Sequence, residues 1–239
     1  MATRPVFLPG LSSNVDHKVQ ELAIDFVWHP GFSISQKQKS IYSLHKNIVS
    51  NAKCENPLEI SSKSPDPVGV ALSAFNLMVR FKLKPLINSP VETIYQGSKV
   101  FNSQPRNDED RYSLPPLEAR RRTRILESTK TMTGWEIGDY HFSLTSGTDF
   151  YDWLYIGGLY QCQKLLLKLV NYDCFTDIEF NPRKSIACQA RSAALARSLL
   201  EQRNGIQSYL RDAEEMYLKK NTEQQYLRNA PEIQLSMFD

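Results

Sequence analysis

The sequence predicts an α+β fold, predominantly helical, in a single domain with a small β element near its amino end. Two patterns carry that expectation. The stretch Val19 to Trp28 (VQELAIDFVW) alternates and is rich in large apolar residues, whereas the second half of the chain is dominated by runs with helical spacing. A third observation bounds the size: 239 residues with 41% apolar content can bury one substantial core, and no internal repeat divides the chain.

Residues 1–18 hold Pro5, Pro9, Gly10 and two serines without a sustained period, so a loosely ordered arm is expected. Val19 to Trp28 reads as a strand ended by His29-Pro30-Gly31. Ser35 can cap the helix that carries Ile41, Leu44 and Ile48. Leu58 to Ser61 suits a short strand before the turn Ser64-Pro65-Asp66-Pro67. Val68 to Leu83, with its β-branched and aromatic content, favours extended structure, although Ala71 to Asn76 could turn helically.

Ser89-Pro90-Val91-Glu92 has the marks of a helix start: a serine cap, proline in the first turn and a carboxylate three residues after the cap. The helix is expected to run to Phe101. Asn102 to Pro116 is polar and proline-containing, hence a loop or lid, and Leu117 to Lys130 reads as a basic helix. Gly134 to Gly147 reads as turn material before a long helix from near Thr148 to about Tyr172. Asp173 to Pro182 is short and irregular or extended, Ser185 to Arg203 is a helix ended by Asn204-Gly205, and Ile206 to Lys220 is another. The domain thus spans 19–220, followed by a tail over 221–239.

Composition narrows the function. The cysteines Cys54, Cys162, Cys174 and Cys188 are widely spaced, with no C-x-x-C pair and no secretory leader before them, as expected of reduced thiols in a cytoplasm. The longest apolar run is broken by Lys164 and Lys168, which leaves no membrane span. His17, His29, His45 and His141 pair with no cysteine at ligand spacing, and neither G-x-x-x-x-G-K nor G-x-G-x-x-G occurs; no metal or cofactor is expected. A net charge of +3 is too mild to mark a nucleic-acid binder. Its distribution is more informative: Arg111, Arg120, Arg121, Arg122 and Arg124 form a basic run that is either a solvated helix face or a phosphate-contacting surface.

On the helix opened by Pro90, Glu92, Tyr95, Gln96 and Lys99 stand at i, i+3, i+4 and i+7 and share one face, beside an apolar stripe of Val91, Ile94, Ser98 and Phe101. Such a polar row suits recognition of a polar ligand. It equally suits a solvated face, with Glu92 as a capping-box acid.

Four blocks carry a resemblance. These are Leu72-Ser73-Ala74-Phe75-Asn76; Val91-Glu92-Thr93-Ile94-Tyr95-Gln96-Gly97-Ser98-Lys99-Val100-Phe101; Phe150-Tyr151-Asp152-Trp153-Leu154; and Phe175 to Pro182 running into Lys184 to Arg191. Together they resemble the NADAR family of N-glycosidases, in which a short S-x-F segment precedes a helix bearing a catalytic glutamate. The family's common glycine-rich ending is replaced by the segment Phe175 to Arg191, which is similar to the branch associated with DarT-type DNA ADP-ribosyltransferases.

The resemblance implies removal of ADP-ribose from guanine in DNA, as antitoxin or phage counter-defence, with ADP-ribosylated single-stranded DNA as partner and a DarT-type toxin as genetic neighbour. Hydrolysis of phosphoribosyl-pyrimidine intermediates, or silent binding of modified DNA or of the toxin, are the alternatives. Cleavage of an N-glycosidic bond passes through an oxocarbenium-like state, so two carboxylates are wanted. Glu92 is expected at the ribose, with Asp177 positioning it or the water, Glu179 as the competing second acid, and Lys99 holding a carboxylate ionised or binding phosphate. The expected substrate contacts are Ser73, Phe75, Asn76, Tyr95, Gln96, Trp153, Glu179, Asn181, Gln189 and Arg191, with Phe75 and Trp153 able to stack on a base or simply to fill the core. Arg183 and Lys184, beside free N–H groups of a helix start, suit the pyrophosphate. Arg120, Arg121, Arg122 and Arg124 are expected on DNA. Finally, Gln234-Leu235-Ser236-Met237-Phe238 resembles the peptide by which bacterial proteins dock on the replication sliding clamp.

Overall fold

The computed structural model describes residues 1–10, 19–51, 54–83, 86–102, 110–182 and 185–217. Arg183, Lys184 and the clamp-like peptide at 234–238 lie outside them. The amino-terminal sheet has the order β2-β1-β9-β3, built from β1 (Ala2–Pro9), β2 (Val19–Phe26), β3 (Pro57–Glu59) and β9 (Cys174–Thr176). The expected arm is therefore corrected over residues 2–9: β1 pairs with β2 antiparallel along its whole length, Ala2 opposite Phe26 and Pro9 opposite Val19. Val6 and Phe7 are both buried, one in each of the two cores, so this strand lacks the in-out alternation that would have announced it. Pro5 and Pro9 also lie outside the two residues that pair with β9.

One face of the sheet is covered by α1 (Ile34–Asn51), whose Ile41, Leu44 and Ile48 meet Val6, Phe26, Cys54, Cys174 and Ile178. Ser33, rather than Ser35, caps this helix, accepting from the Gln36 N–H at 3.3 Å. The other face packs against α7 (Gln189–Leu200), which in turn packs on α5 (Gly147–Gln161). Phe7, Leu58 and Phe175 belong to this larger core.

Between these layers the chain departs from the sequence expectation in four places. Pro67–Ala71 is a short helix, α2, because Asp66 accepts from the Val68 N–H at 2.8 Å and Pro67 fits the first turn; the extended part is limited to β4 (Met78–Phe81), paired with β5 (Ile87–Pro90). The helix bearing Glu92, α3, ends at Gly97, and Lys99–Phe101 is a strand, β6. Gly97 is needed there, since a Cβ would sit 2.6 Å from the Arg111 carbonyl oxygen as the following loop crosses it. After α4 (Pro116–Glu127), the supposed turn material forms a hairpin, β7 (Met132–Ile137) and β8 (Tyr140–Ser143), which turns at Gly138 with φ 55°. The long helix stops at Gln161, where Cys162 leaves helical geometry, and continues as α6 (Gln163–Leu166) and a 3-10 turn. The chain ends, among the described residues, with α8 (Gly205–Tyr217) after Asn204 at φ 56°. No helix among the described residues is long and apolar enough to cross a membrane.

Candidate active site

The candidate site is built from the start of α3 and the segment after β9, which Ala74 and Gln189 link by hydrogen bonds. Two free N–H groups at the start of α3 are taken up by the preceding chain: Val91 donates to the Leu77 carbonyl and Glu92 to the Ala74 carbonyl, each at 2.9 Å. Ser89, expected as the cap, instead donates to the Tyr112 carbonyl, and Thr93 donates to the Leu114 carbonyl at 2.9 Å. The loop before α4 is thereby strapped onto α3, which brings α4 alongside.

That placement decides the surroundings of Glu92. Its side chain is only 5% exposed, and Oε1 accepts from Gln96 Nε2 at 2.9 Å and from Arg120 Nε at 2.8 Å. The Arg120 guanidinium also lies over the Phe75 ring, 4.9 Å from its centroid. Burial opposes the Arg120 charge, but the hydrogen bond and carboxylate of Glu92 outweigh it and hold the guanidinium protonated.

Asp177 follows β9 directly. Along that strand Cys174 enters the α1 core and Phe175 the α5–α7 core, so by alternation Thr176 faces α1 and Asp177 is delivered towards α7. Oδ1 accepts from the Glu179 and Phe180 N–H groups at 3.0 and 3.2 Å, and Oδ2 accepts from Gln189 Nε2 at 2.9 Å. Burial, reinforced by the charge of Glu59, pushes the Asp177 carboxyl up to about 7. Gln189, the first residue of α7, joins the two halves: its Nε2 also donates to the Ile60 carbonyl at 2.7 Å, and its Oε1 accepts from the Ala74 N–H at 2.8 Å. Ala74 in turn accepts from Glu92.

The two acids share surroundings. The charges of Glu92 and Asp177 both act on the Arg120 guanidinium and on the Tyr151 phenol, which burial first, and these carboxylates further, push well up. An arginine and a neutral phenol thus stand within reach of both an ion-paired carboxylate and a carboxyl that retains its proton up to neutrality. This arrangement can stabilise a developing positive charge and deliver a proton to a departing group.

Other candidate residues are placed differently. Lys99 is off the helix, paired with Glu127 at 2.8 Å and lying over the Tyr95 ring, so Arg120 occupies the place by Glu92 that was expected of it. Tyr95 stacks on Trp135 and Phe150 within the aromatic core, and Trp153, 0% exposed, stacks on Phe81; neither presents a face to a substrate. Ser73 is buried and accepts from the Phe75 N–H, while the exposed Asn76 returns its amide to the Val70 carbonyl. Glu179 is exposed and paired with Lys37 at 2.9 Å, whereas Asp177 is buried. Asn181 is half-buried. Arg191 pairs with the buried Asp152, whose other oxygen accepts from Ser192 Oγ at 2.6 Å.

On α4 the arginines divide. Arg120 turns inward and Arg122 pairs with Asp110 at 3.1 Å, whereas Arg121 and Arg124 are exposed. Leu117, Arg120, Arg121, Arg124, Ile125 and Ser128 line an open groove of about 510 Å³. Sequence reasoning missed the inward Arg120, the phenol of Tyr151 and the buried Glu59. A signal existed for Arg120, because Ala119 and Thr123 mark the inner face of α4, and another for Glu59, an acid set between Leu58 and Ile60. Among the described residues, no group of three or more His, Cys, Asp or Glu is placed to hold a metal ion.

The chain is an α+β domain with a buried glutamate, Glu92, on the short helix of the Val91–Phe101 motif and a buried aspartate, Asp177, between β9 and α7. The family model of DarT1-associated NADAR antitoxins matches residues 2–230, and the chain belongs to that family. No curated protein matches the chain significantly. Its role is accordingly that of an antitoxin associated with a DarT1 toxin.

Proposed function

We propose that this antitoxin is an N-glycosidase that removes ADP-ribose from guanine bases of DNA, reversing modification by the associated toxin in the cytoplasm. The observation that carries the reading is the contrast between two buried carboxylates that both act on Arg120 and Tyr151, Glu92 ion-paired with Arg120 and Asp177 held as an acid to about pH 7. Asp177 donates its proton to the departing guanine nitrogen as the bond to the anomeric carbon breaks. The Glu92 carboxylate faces the positive charge that develops on the sugar. Water then attacks that carbon, its proton returns to Asp177, and the products are ADP-ribose and the restored base.

Arg121 and Arg124 in the α4 groove supply contacts to DNA phosphates, with Leu117 and Ile125 offering apolar surface to an unstacked base. This extended basic groove favours a polynucleotide over a free ribosyl intermediate. The test is incubation with ADP-ribosylated single-stranded DNA while free ADP-ribose is followed. Release is expected from the unaltered protein, with a fall of roughly a hundredfold or more in Glu92→Ala and in Asp177→Ala. Binding without release, or unchanged release in both variants, refutes the proposal. Cleavage confined to a free phosphoribosyl pyrimidine would place the activity on small molecules.

A further inference from the structure

Behind Asp177 lies a second carboxylate that the proposed reaction does not use. Glu59 ends β3 and is 1% exposed. Its Oε2 accepts from Thr176 Oγ1 at 2.6 Å and its Oε1 from the Ile178 N–H at 2.9 Å, so the residues immediately before and after Asp177 are both bonded to it. Both oxygens of Glu59 are thus engaged by the chain on either side of Asp177. We propose that Glu59 is a positioning residue for Asp177, fixing the backbone on both sides of that acid and setting a buried negative charge beside it.

Among the described residues, no Lys, Arg or His side chain forms an ion pair with Glu59. Thr176 gives its proton to Glu59, so it accepts from His45 Nε2 at 2.9 Å, and burial pushes His45 down to about 4; the imidazole is neutral at any pH at which the cleft works. Ser61 also bonds to Glu59, and Glu179, the nearest further acid, is paired with Lys37. Burial raises the Glu59 carboxyl itself. Among the described residues, the groups around Asp177 include Arg120 from α4, Tyr151 and Tyr155 from α5, Cys188 and Gln189 at the start of α7, and Glu179 in its own segment. Arg120 is engaged by Glu92, and the charge of Glu59 acts on Asp177. A carboxylate beside a carboxyl disfavours the second ionisation, so Glu59 helps Asp177 to keep the proton it must donate.

The catalytic consequence rests on the glycosidase reading, but the pairing can be measured without it. Protein labelled with ¹³C at the carboxyl groups is titrated by NMR between about pH 4 and pH 9. Glu59 is expected to ionise first and Asp177 near 7; in Glu59→Gln, which keeps the shape and removes the charge, the Asp177 midpoint falls by about one pH unit or more. Glu59 remaining protonated while Asp177 ionises, or an Asp177 midpoint unmoved in Glu59→Gln, overturns the proposal. If Glu59→Gln does not fold, the order of ionisation in the unaltered protein decides. In the release assay the alkaline limb of kcat/KM moves to lower pH in the variant, whereas a purely structural loss lowers the rate at every pH and leaves the limb in place. A displaced midpoint without ADP-ribose release at any pH removes the glycosidase reading and leaves the Glu59–Asp177 pair standing.

Discussion

Replacing Arg120 by methionine tests the centre of the site through stability alone. The variant keeps an apolar stem against Phe75 and removes the guanidinium, leaving Glu92, 5% exposed, with Gln96 as its remaining partner. Breaking a fully buried ion pair from one side costs about 3–5 kcal/mol. Here the Arg120 side chain is 38% exposed, so water can reach the vacated position, and the expected cost is reduced to about 1–2 kcal/mol. For a chain of this size that lowers Tm by about 2–8 °C. In a Glu92→Gln background no charge is stranded, and the same Arg120→Met change is expected to cost less than about 0.5 kcal/mol. Urea unfolding of the four proteins at neutral pH gives the coupling energy directly. Additivity within about 0.3 kcal/mol would show that Arg120 and Glu92 are not energetically paired, and the account of the cleft would fail.

Four further outcomes are expected. Asp177 has a raised carboxyl in the folded protein, at about 7 against the usual 3.8, so its contribution to stability is fully present below the unfolded value and is lost as pH rises through the folded one. Asp177→Asn should therefore be more stable than the unaltered protein at pH 8, by on the order of 2–4 kcal/mol, with the advantage vanishing towards pH 4; a constant difference by denaturant unfolding counts against a raised carboxyl. Gln189→Ala removes the bridge among Ala74, Ile60 and Asp177 and should cost about 2–3 kcal/mol, with slower ADP-ribose release at every pH; a neutral change in both measurements would show that the bridge is dispensable. Gly69→Ala would place a Cβ 1.9 Å from the Glu59 carbonyl oxygen and should cost about 3 kcal/mol, read as a Tm lowered by about 6–12 °C. Replacing both Arg121 and Arg124 by alanine should weaken binding to single-stranded DNA of any sequence and reduce the salt dependence of log Kd by about 1.4, measured by fluorescence anisotropy; an unchanged slope removes α4 from the DNA-binding surface.

Much of the fold was legible where one local signal dominated. The strand Val19–Phe26, the helix with Ile41, Leu44 and Ile48 inward, and the basic helix after Pro116 each follow from periodicity or capping. Strand β1 was hidden because a strand buried on both faces shows no alternation, and the β7–β8 hairpin because its glycines read only as turn. The helix bearing Glu92 was placed correctly but drawn too long. The following loop crosses Gly97 where the helix ends, a contact beyond the reach of helical periodicity.

The sequence by itself determined the class of the chain, the helix that carries Glu92 and the segment that carries Asp177, because propensity, caps and a family motif are written in neighbouring residues. The tertiary structure alone decided which arginine meets Glu92, that Trp153 and Tyr95 belong to the core, and that Glu59 stands behind Asp177. Those pairings join residues dozens of positions apart, and an ion pair or a displaced carboxyl depends on distance and burial in space, which local order along a chain does not encode.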